Sequence, residues 1–457
     1  MNGDMLRAGA AEVDITPALG IQIGGDIGKR RPVEAIHERL YARALALDSK
    51  GRRFCFLSID LLEITEPYDA EIRRRAAAFG FTPDAVMVHP LQNHAAPALG
   101  NEFWSEEYQD RVFPSDLWWL GGVDRRYVEP ALEGITLVMQ RATERMVPVA
   151  VRHARTMDAR VAFNRRFILR DGTAVCHPGA QTRPRILQAE GPVDPEVGVM
   201  VFQTADGSAI AALLQHTCHP CHGGSHNAIM AGWPGAWVDA MRGTFGSACV
   251  PMVVNGCCGN IHHCNHLDPT QDQNHRRMGA FLADSACLAL QSLGEPQQVP
   301  LDWRMAQIKL PPRAISSDEL AQARALIAQP IPFTNADKTA TDWNWCYAHS
   351  ICDLAERLAR QPYFEYPVQA VRIGECALVA LGGEPFVEVQ LRLKRESPVN
   401  ALFVAHMANG GIGYIPTPDA LRRGGYETRT ANWSKYAPEA LDLIGDKAAS
   451  LLADLFC

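Results

Sequence analysis

The stretch "AIAALLQHTCHPCHGGSH" (residues 209–226) joins an apolar run to a dense polar turn. A short apolar run that ends at turn-forming residues is typical of a buried strand, and we predict one over 209–216. Pro220 and the Gly223–Gly224 pair oppose a continuous helix after it. The histidines and cysteines that follow therefore lie in a strand-end loop, where open α/β sheets bind their ligands.

Runs of the same kind recur on both sides of this stretch. Further strands are predicted at 53–60, 85–90, 197–202, 249–256, 376–383 and 401–410, and helices at 68–79, 127–146, 234–245, 276–293, 317–329, 341–360 and 437–456. The alternation favours an α/β fold with mixed β-sheets flanked by helices. We predict a single domain over 1–457, with a candidate lid insertion at 101–122 and a helical insertion at 315–365.

The composition is that of a globular protein with a large core. The chain of 457 residues is 47% apolar and 21% charged, with a formal net charge of -7 and no long basic block. These values argue against a nucleic-acid partner. The N-terminus has no apolar signal-peptide core, and no apolar span of 18 residues occurs, so we expect no membrane association and a cytoplasmic location. The odd number of cysteines, 13, is consistent with reduced thiols there.

Histidine and cysteine are concentrated in one part of the chain. Residues 216–266 contain six of the 13 cysteines and seven of the 15 histidines, which indicates a site or its lining. We expect His219 to be a ligand, His222 and His226 to line a pocket, and His216 to end the strand. Cys257 and Cys258 match no zinc-knuckle spacing, so small buried apolar residues are the favoured interpretation, with a redox or metal role as the alternative.

Three further turns carry polar side chains. In "HPLQNHAAP" (89–97), Gln92 and His94 project to the same face of an extended chain. Glu384 stands at a glycine turn before an amphipathic helix, where a carboxylate serves as a metal ligand or as a partner of the helix terminus. Tyr414 and Tyr426 lie in a loop rich in glycine and proline, where packing is the alternative to a chemical role.

The ordered set of motifs resembles the N-terminal catalytic domain of neutral ceramidases and its bacterial relatives. The resemblance covers roughly residues 7 to 430, and its order is more specific than any single motif. The motifs are "GAAEVDITPALG", "FNRRFILRDG", "GPVDPEVGVMVF", "CHP", "WPGAW", "NGCCGN", "GGEPFVEVQLRLK" and "GYIPTPDALRRGGYE".

The resemblance implies a metal-dependent amide hydrolase. In that family zinc is held by two histidines, a glutamate and a tyrosine, and a serine assisted by histidine, arginine and a second tyrosine attacks the amide of an N-acyl sphingoid. By motif, the zinc ligands include His219, Glu384 and Tyr414. The assisting groups are His94, Arg165 and Tyr426.

Two departures from the family pattern change this expectation. Gln92 stands where the family has its first zinc histidine, and His262 stands where it has the nucleophilic serine. A glutamine carbonyl binds a divalent cation more weakly than imidazole does. We therefore expect a protein that is not a ceramidase. Its predicted metal ligands for zinc or another divalent ion are Gln92, His219, Glu384 and Tyr414, and its predicted catalytic residues are His94, Arg165, His262 and Tyr426, with no residues for an organic cofactor.

Three functions fit these residues. The first is a metal-dependent hydrolase that cleaves an amide or lactone bond of a small polar metabolite. The second is a lyase or isomerase that uses the same pocket, with histidine and tyrosine moving protons beside a polarised carbonyl. The third, a non-enzymatic metal-binding protein, explains the dense histidines and cysteines but not the dispersed Arg165, Glu384 and Tyr414.

Overall fold

The computed structural model describes residues 5–101, 103–224, 226–268, 270–399, 401–411 and 413–456. Its α-helices are α1 (Glu66–Ala76), α2 (Glu106–Val112), α3 (Arg125–Glu144), α4 (Gly232–Phe245), α5 (His275–Leu290), α6 (Ser317–Ile327), α7 (Trp343–Arg360), α8 (Val387–Glu396), α9 (Pro418–Arg423) and α10 (Ala440–Phe456). Short 3₁₀ turns lie at Ala77–Phe79, Pro83–Ala85, Ser115–Gly121, Arg183–Arg185 and Tyr426–Thr428. Each helical segment predicted from the sequence overlaps one of these α-helices, with ends that differ by a few residues.

Three mixed sheets form the centre of the fold. The first has the strand order Val86–Pro90, Arg52–Ile59, Tyr41–Ser49, Arg7–Asp14 and Val147–Pro148. The second has the order Val250–Asn255, Ala209–His216, Glu196–Gln203 and Ala150–Met157. The third has the order Leu301–Leu310, Phe364–Ile373, Cys376–Leu381 and Ala401–Ala405.

Each large sheet has one parallel pair at its edge, and the remaining pairs are antiparallel. In the first sheet Arg52–Ile59 runs parallel to Val86–Pro90. In the second sheet Ala209–His216 runs parallel to Val250–Asn255. In the third sheet Cys376–Leu381 runs parallel to Ala401–Ala405. These strands are almost wholly buried, which is why their sequences read as continuous apolar runs.

Small strand pairs connect the loops beyond these edges. Ala228–Ile229 pairs with Ala35–Ile36, Ile261–His262 pairs with Phe163–Asn164, and Glu384–Pro385 pairs with Tyr414–Ile415. A separate three-stranded sheet contains Ala174–Cys176, Arg166–Leu169 and Ile186–Ala189. The loops are therefore held by backbone hydrogen bonds and form a fixed layer at one edge of the sheets.

The two proposed insertions pack against each other. The candidate lid insertion at 101–122 contains α2 and the 3₁₀ turn Ser115–Gly121. Its Trp104 and Phe113 rings contact each other and His349 of α7, and Ser105 donates to Asp353 on the same helix. The range 315–365 contains the helices α6 and α7 and leads into the strand Phe364–Ile373. In the part of the chain described, no helix is long and apolar enough to cross a bilayer.

Candidate active site

Predicted site residues that follow the three parallel strand pairs lie close together in the structure. Gln92 and His94 follow the strand that ends at Pro90, His219 follows the strand that ends at His216, and Glu384 follows the strand that ends at Leu381. An isolated parallel β-bridge pairs the backbone of His219 with that of His262. Because the carboxyl ends of these strands face the same layer, residues far apart in sequence become neighbours.

His219 and Glu384 form the centre of the site. The His219 Nε2 and Glu384 Oε2 atoms lie 3.5 Å apart, and both side chains are buried. His219 Nδ1 lies 3.1 Å from the carbonyl oxygen of Cys258, so Nδ1 carries the proton and donates there. The lone pair of Nε2 therefore faces the carboxylate, which is the tautomer that a metal-binding histidine requires.

The Glu384 carboxyl is held by two predicted neighbours. Gln92 and Tyr414 both hydrogen-bond to it. Burial raises the pKa of Glu384 to about 7, against the lowering effect of Arg165 and of these two hydrogen bonds. Among the described residues, Glu384 Oε2 has no hydrogen-bond partner. A buried carboxylate oxygen without a donor is costly, and a cation between it and His219 would remove that cost.

Arg165 links Tyr414 to the backbone of the site. Its Nη2 donates to the Tyr414 hydroxyl at 3.1 Å and to the carbonyl of Gly259 at 2.6 Å. Its Nε donates to Glu427 Oε1 at 2.9 Å, and Arg166 Nη1 donates to the other oxygen of Glu427 at 2.6 Å. Burial opposes the charge of Arg165, but Tyr414 and nearby acidic groups raise its pKa well above the usual value. Arg165 is therefore a fixed cation at the base of the site.

Tyr426 reaches this group through Tyr414. The two rings meet edge to face with centroids 5.8 Å apart, and Tyr426 also contacts Trp343 of α7. Tyr426 is 37% exposed, whereas Tyr414 is buried, so the two tyrosines differ in their access to solvent. Burial raises the pKa of Tyr414 well above its usual value, which keeps its hydroxyl protonated and able to donate to Glu384.

His94 lies beside His219, and the centroids of the two rings are 5.2 Å apart. Its Nε2 atom is buried without a hydrogen-bond partner among the described residues. Burial lowers the pKa of His94 to about 3, so the ring is neutral near pH 7. A neutral buried imidazole has a nitrogen lone pair that can accept a proton or bind a metal.

His262 stacks over His219 and starts a series of histidine contacts. The His219 and His262 centroids are 6.4 Å apart, and His262 stacks on His263 at 4.3 Å. His263 in turn stacks on His222 at 3.8 Å. His262 Nδ1 accepts the backbone N–H of Cys264 at 3.0 Å, so in the neutral ring the proton lies on Nε2. His262 is therefore a hydrogen-bond donor at its Nε2 atom.

A pocket of about 760 Å³ opens above this centre. His94 and Cys221 lie in its wall, together with His222, His226, His262, His263 and His275, and Asp26, Lys29 and Gln273 add charge and polarity. His222 and His226 line the pocket as expected, and His216 ends its strand as expected. The lining is rich in imidazole and polar groups, and it contains few large apolar side chains.

Several residues of the site were not anticipated from the sequence. Cys258 Sγ lies 3.5 Å from His406 Nδ1, 3.6 Å from His219 Nδ1 and 3.7 Å from Gln92 Oε1. Cys257 and Cys258 are both fully buried, in keeping with the favoured interpretation. Glu427 was overlooked, although it follows Tyr426 within a quoted motif. A polar residue directly after a buried strand, such as His406, is the signal that could have found that side chain.

Within the described part of the chain, three groups of side chains have donor atoms close enough to hold a metal ion. They are His94 with His219 and Cys221, His177 with His262 and His266, and His262 with His263 and Cys264, and in each group the donor atoms lie within 4.8 Å of one another. Gln92, His219, Glu384 and Tyr414 are also neighbours, as the hydrogen bonds above show. The layer thus offers more donors than one ion requires.

Comparison with known proteins identifies the fold. No protein-family model matches the chain, and no curated protein sequence matches it. The crystal structure of neutral ceramidase from Pseudomonas aeruginosa is similar, with a TM-score of 0.73 and 16% identity over 99% of this chain and 74% of that one. A ceramidase complexed with C2 gives a TM-score of 0.71, also at 16% identity, over 99% and 75%. The predicted neutral-ceramidase-like α/β fold is confirmed.

Proposed function

From a fold shared with neutral ceramidases, we propose that this protein is a metal-dependent hydrolase that cleaves an amide or lactone bond in a small polar metabolite. One observation carries the proposal. The unpartnered Glu384 Oε2 faces His219 Nε2 at 3.5 Å, beside the buried cation of Arg165 and beneath a polar pocket. Groups that perturb one another so strongly in a buried site are typical of catalytic centres.

The donor set fits a divalent ion such as zinc. His219 has the required tautomer, Glu384 offers an oxygen without a partner, and Tyr414 and Gln92 contact the same carboxylate. Imidazole and carboxylate are common zinc ligands. A bound divalent ion acts as a Lewis acid toward a carbonyl oxygen of the substrate. The resemblance implies Gln92 and Tyr414 as the remaining donors.

The surrounding residues position the carboxylate and transfer protons. Arg165 orients the Tyr414 hydroxyl, which donates to Glu384 and holds that side chain in place. His262 lines the pocket, where its Nε2–H can donate a hydrogen bond to a carbonyl oxygen of the substrate. Water attacks the carbonyl carbon, the unpartnered Nε2 of His94 accepts one proton from that water, and His94 passes this proton to the leaving group as its bond to the carbonyl carbon breaks. Tyr426 completes the group through its contact with Tyr414.

The pocket supports a small polar substrate. Its wall contains histidines, Asp26 and Lys29 rather than a continuous apolar groove for an acyl chain. Lys29 is about half exposed and Asp26 lies 3.7 Å from it, so both charges are accessible near the pocket. Hydrogen-bonding and charged groups of this kind fix the orientation of a polar ligand.

One observation favours a lyase or isomerase as the second candidate. His262 stands where the related family has its nucleophilic serine, and it stacks on His263, so the site has adjacent proton carriers but no serine at that position. Proton transfer beside a polarised carbonyl requires such groups and no nucleophile.

A substrate panel in isotopically labelled water separates these functions. The full chain, supplied with zinc, is incubated with N-acyl amino acids, lactones and 2-hydroxy or 2-oxo acids in ¹⁸O-water, and the products are analysed by mass spectrometry. We expect one ¹⁸O in the carboxylate of a released product. Turnover without ¹⁸O incorporation supports the lyase or isomerase, and stable metal binding without turnover of any compound contradicts the proposed hydrolase.

A further inference from the structure

His94, His219 and Cys221 form a compact donor group on the pocket side of the site. Their donor atoms lie within 4.8 Å of one another, and both His94 and Cys221 line the pocket. The backbone joins the two loops that carry them, because His94 N–H donates to the carbonyl of Pro220 at 3.2 Å. Cys221 N–H donates to the carbonyl of His219 at 3.1 Å. The three side chains are therefore held together before any ion binds.

Two of the donors are poised for ligation in the folded chain. His219 carries its proton on Nδ1, which donates to the Cys258 carbonyl, and its Nε2 lone pair is available. His94 Nε2 is buried and has no hydrogen-bond partner within the described ranges. A buried nitrogen without a partner costs free energy that a metal bond would recover.

Gln92 and Tyr414, two of the donors implied by the family resemblance, already make hydrogen bonds to other side chains. The Gln92 side chain hydrogen-bonds to Glu384, and its Oε1 atom lies 3.7 Å from Cys258 Sγ. The Tyr414 hydroxyl accepts from Arg165 and bonds to Glu384. These two side chains hold the carboxylate and the base of the site. They are positioning residues of Glu384 in this arrangement.

We infer that the divalent ion of this protein is held by His94, His219 and Cys221, with Glu384 as the neighbouring carboxylate, and that its coordination therefore includes a thiolate. The inference rests on the proposed function for the presence of a metal. It assigns His94 to the metal in place of the proton-carrying role that the resemblance implies. Two imidazoles and a thiolate favour zinc, since thiolate is a soft ligand that magnesium and calcium do not select.

Cobalt(II) substitution of the full-length protein tests the thiolate directly. A cobalt–thiolate bond produces a charge-transfer absorption in the near ultraviolet that imidazole and carboxylate ligands do not produce. We expect this band in the wild-type cobalt protein, its loss in Cys221→Ser, and at least a tenfold weaker zinc affinity in that variant. Cys264→Ser is the matched control, because Cys264 lines the same pocket but belongs to a different donor group.

The outcomes separate this inference from the proposed function. A wild-type protein that binds cobalt without the band overturns the thiolate ligand, and so does a band that is lost in Cys264→Ser but kept in Cys221→Ser. Either result is compatible with the proposed function, a metal-dependent hydrolase. A wild-type protein that binds no metal overturns both proposals. The wild-type spectrum needs no substitution, and thermal unfolding of each variant verifies that it is folded.

Discussion

At the scale of single residues, the proposed metal site is tested at the His219–Glu384 pair. We expect Glu384→Gln and His219→Ala each to lower zinc content and hydrolytic activity together, with zinc affinity reduced about tenfold or more. The reason is that each substitution removes one of two buried donors 3.5 Å apart. Metal analysis after dialysis, compared with activity of the same samples, provides the measurement.

Glu375→Gln is the matched control for this prediction, since Glu375 is an exposed residue of the same sheet region. It should retain both metal and activity. Normal zinc content in Glu384→Gln and His219→Ala would show that these two residues are not metal ligands.

Gln92 provides a second residue-scale test, because it occupies the position of a zinc histidine in the related family. If His94, His219 and Cys221 bind the ion, Gln92→His adds no ligand and removes a hydrogen bond to Glu384. We therefore expect zinc affinity that is unchanged or weaker, measured by competition with a chelator beside the wild type. Clearly tighter binding in Gln92→His would instead favour the ligand set of Gln92, His219, Glu384 and Tyr414.

At the scale of elements, Glu427 ties the turn Tyr426–Thr428 to Arg165 and to the strand Arg166–Leu169, which begins at Arg166. The carboxylate is fully buried between the two guanidinium groups. Glu427→Gln leaves these cations without their shared partner, and we expect the free energy of unfolding to fall by about 3 kcal/mol. Urea denaturation at neutral pH measures this loss. An unchanged midpoint would show that the pair of arginines needs no anion there.

The same carboxylate makes stability depend on acid pH. Burial raises the pKa of Glu427, but Arg165 and Arg166 outweigh it and lower that pKa from 4.5 to about 2. Because the folded-state pKa is depressed, the stabilisation is fully present above pH 4.5 and is lost as the pH falls toward 2. We expect Glu427→Gln to lack this component of acid destabilisation. A variant that matches the wild type over this pH range would contradict the expected role of Glu427.

At the scale of the whole molecule, the lining of the pocket leads us to propose a small polar substrate. We expect neither the wild type nor His262→Ser to hydrolyse N-acyl sphingosine at a substantial rate, because the pocket lacks an extended apolar wall and one hydroxyl does not create one. Product analysis by chromatography, with a ceramidase as the positive control, gives the measurement. Substantial release of sphingosine by either protein would contradict a small polar substrate.

The sequence predicted the buried strands because their burial makes them continuous apolar runs. The strands Arg7–Asp14, Tyr41–Ser49, Leu301–Leu310 and Phe364–Ile373 were not predicted. Arg7–Asp14 is made mainly of small residues, and Leu301–Leu310 alternates exposed and buried positions among charged side chains. Such strands owe their conformation to pairing across the sheet, which local sequence does not encode.

The site was predictable to the extent that its residues lie in separate, recognisable turns. Motif order assigned the eight predicted side chains to a common region, and the structure brings them into one contiguous group. The proximity of His94 to Cys221 could not be read from the chain, because it depends on the contact between the loops after two different sheets. The role of each side chain stays a prediction until metal binding and turnover are measured.

The arrangement of the three parallel strand pairs has a consequence for refolding. Donors at 94, 219–221 and 384 belong to different sheets, so no short fragment of the chain brings them together. Zinc should consequently bind only after the sheets have docked, and its binding would raise the apparent stability of the native state by mass action. In a refolding experiment, the cobalt spectrum would develop with the last cooperative step, later than the secondary structure seen by circular dichroism.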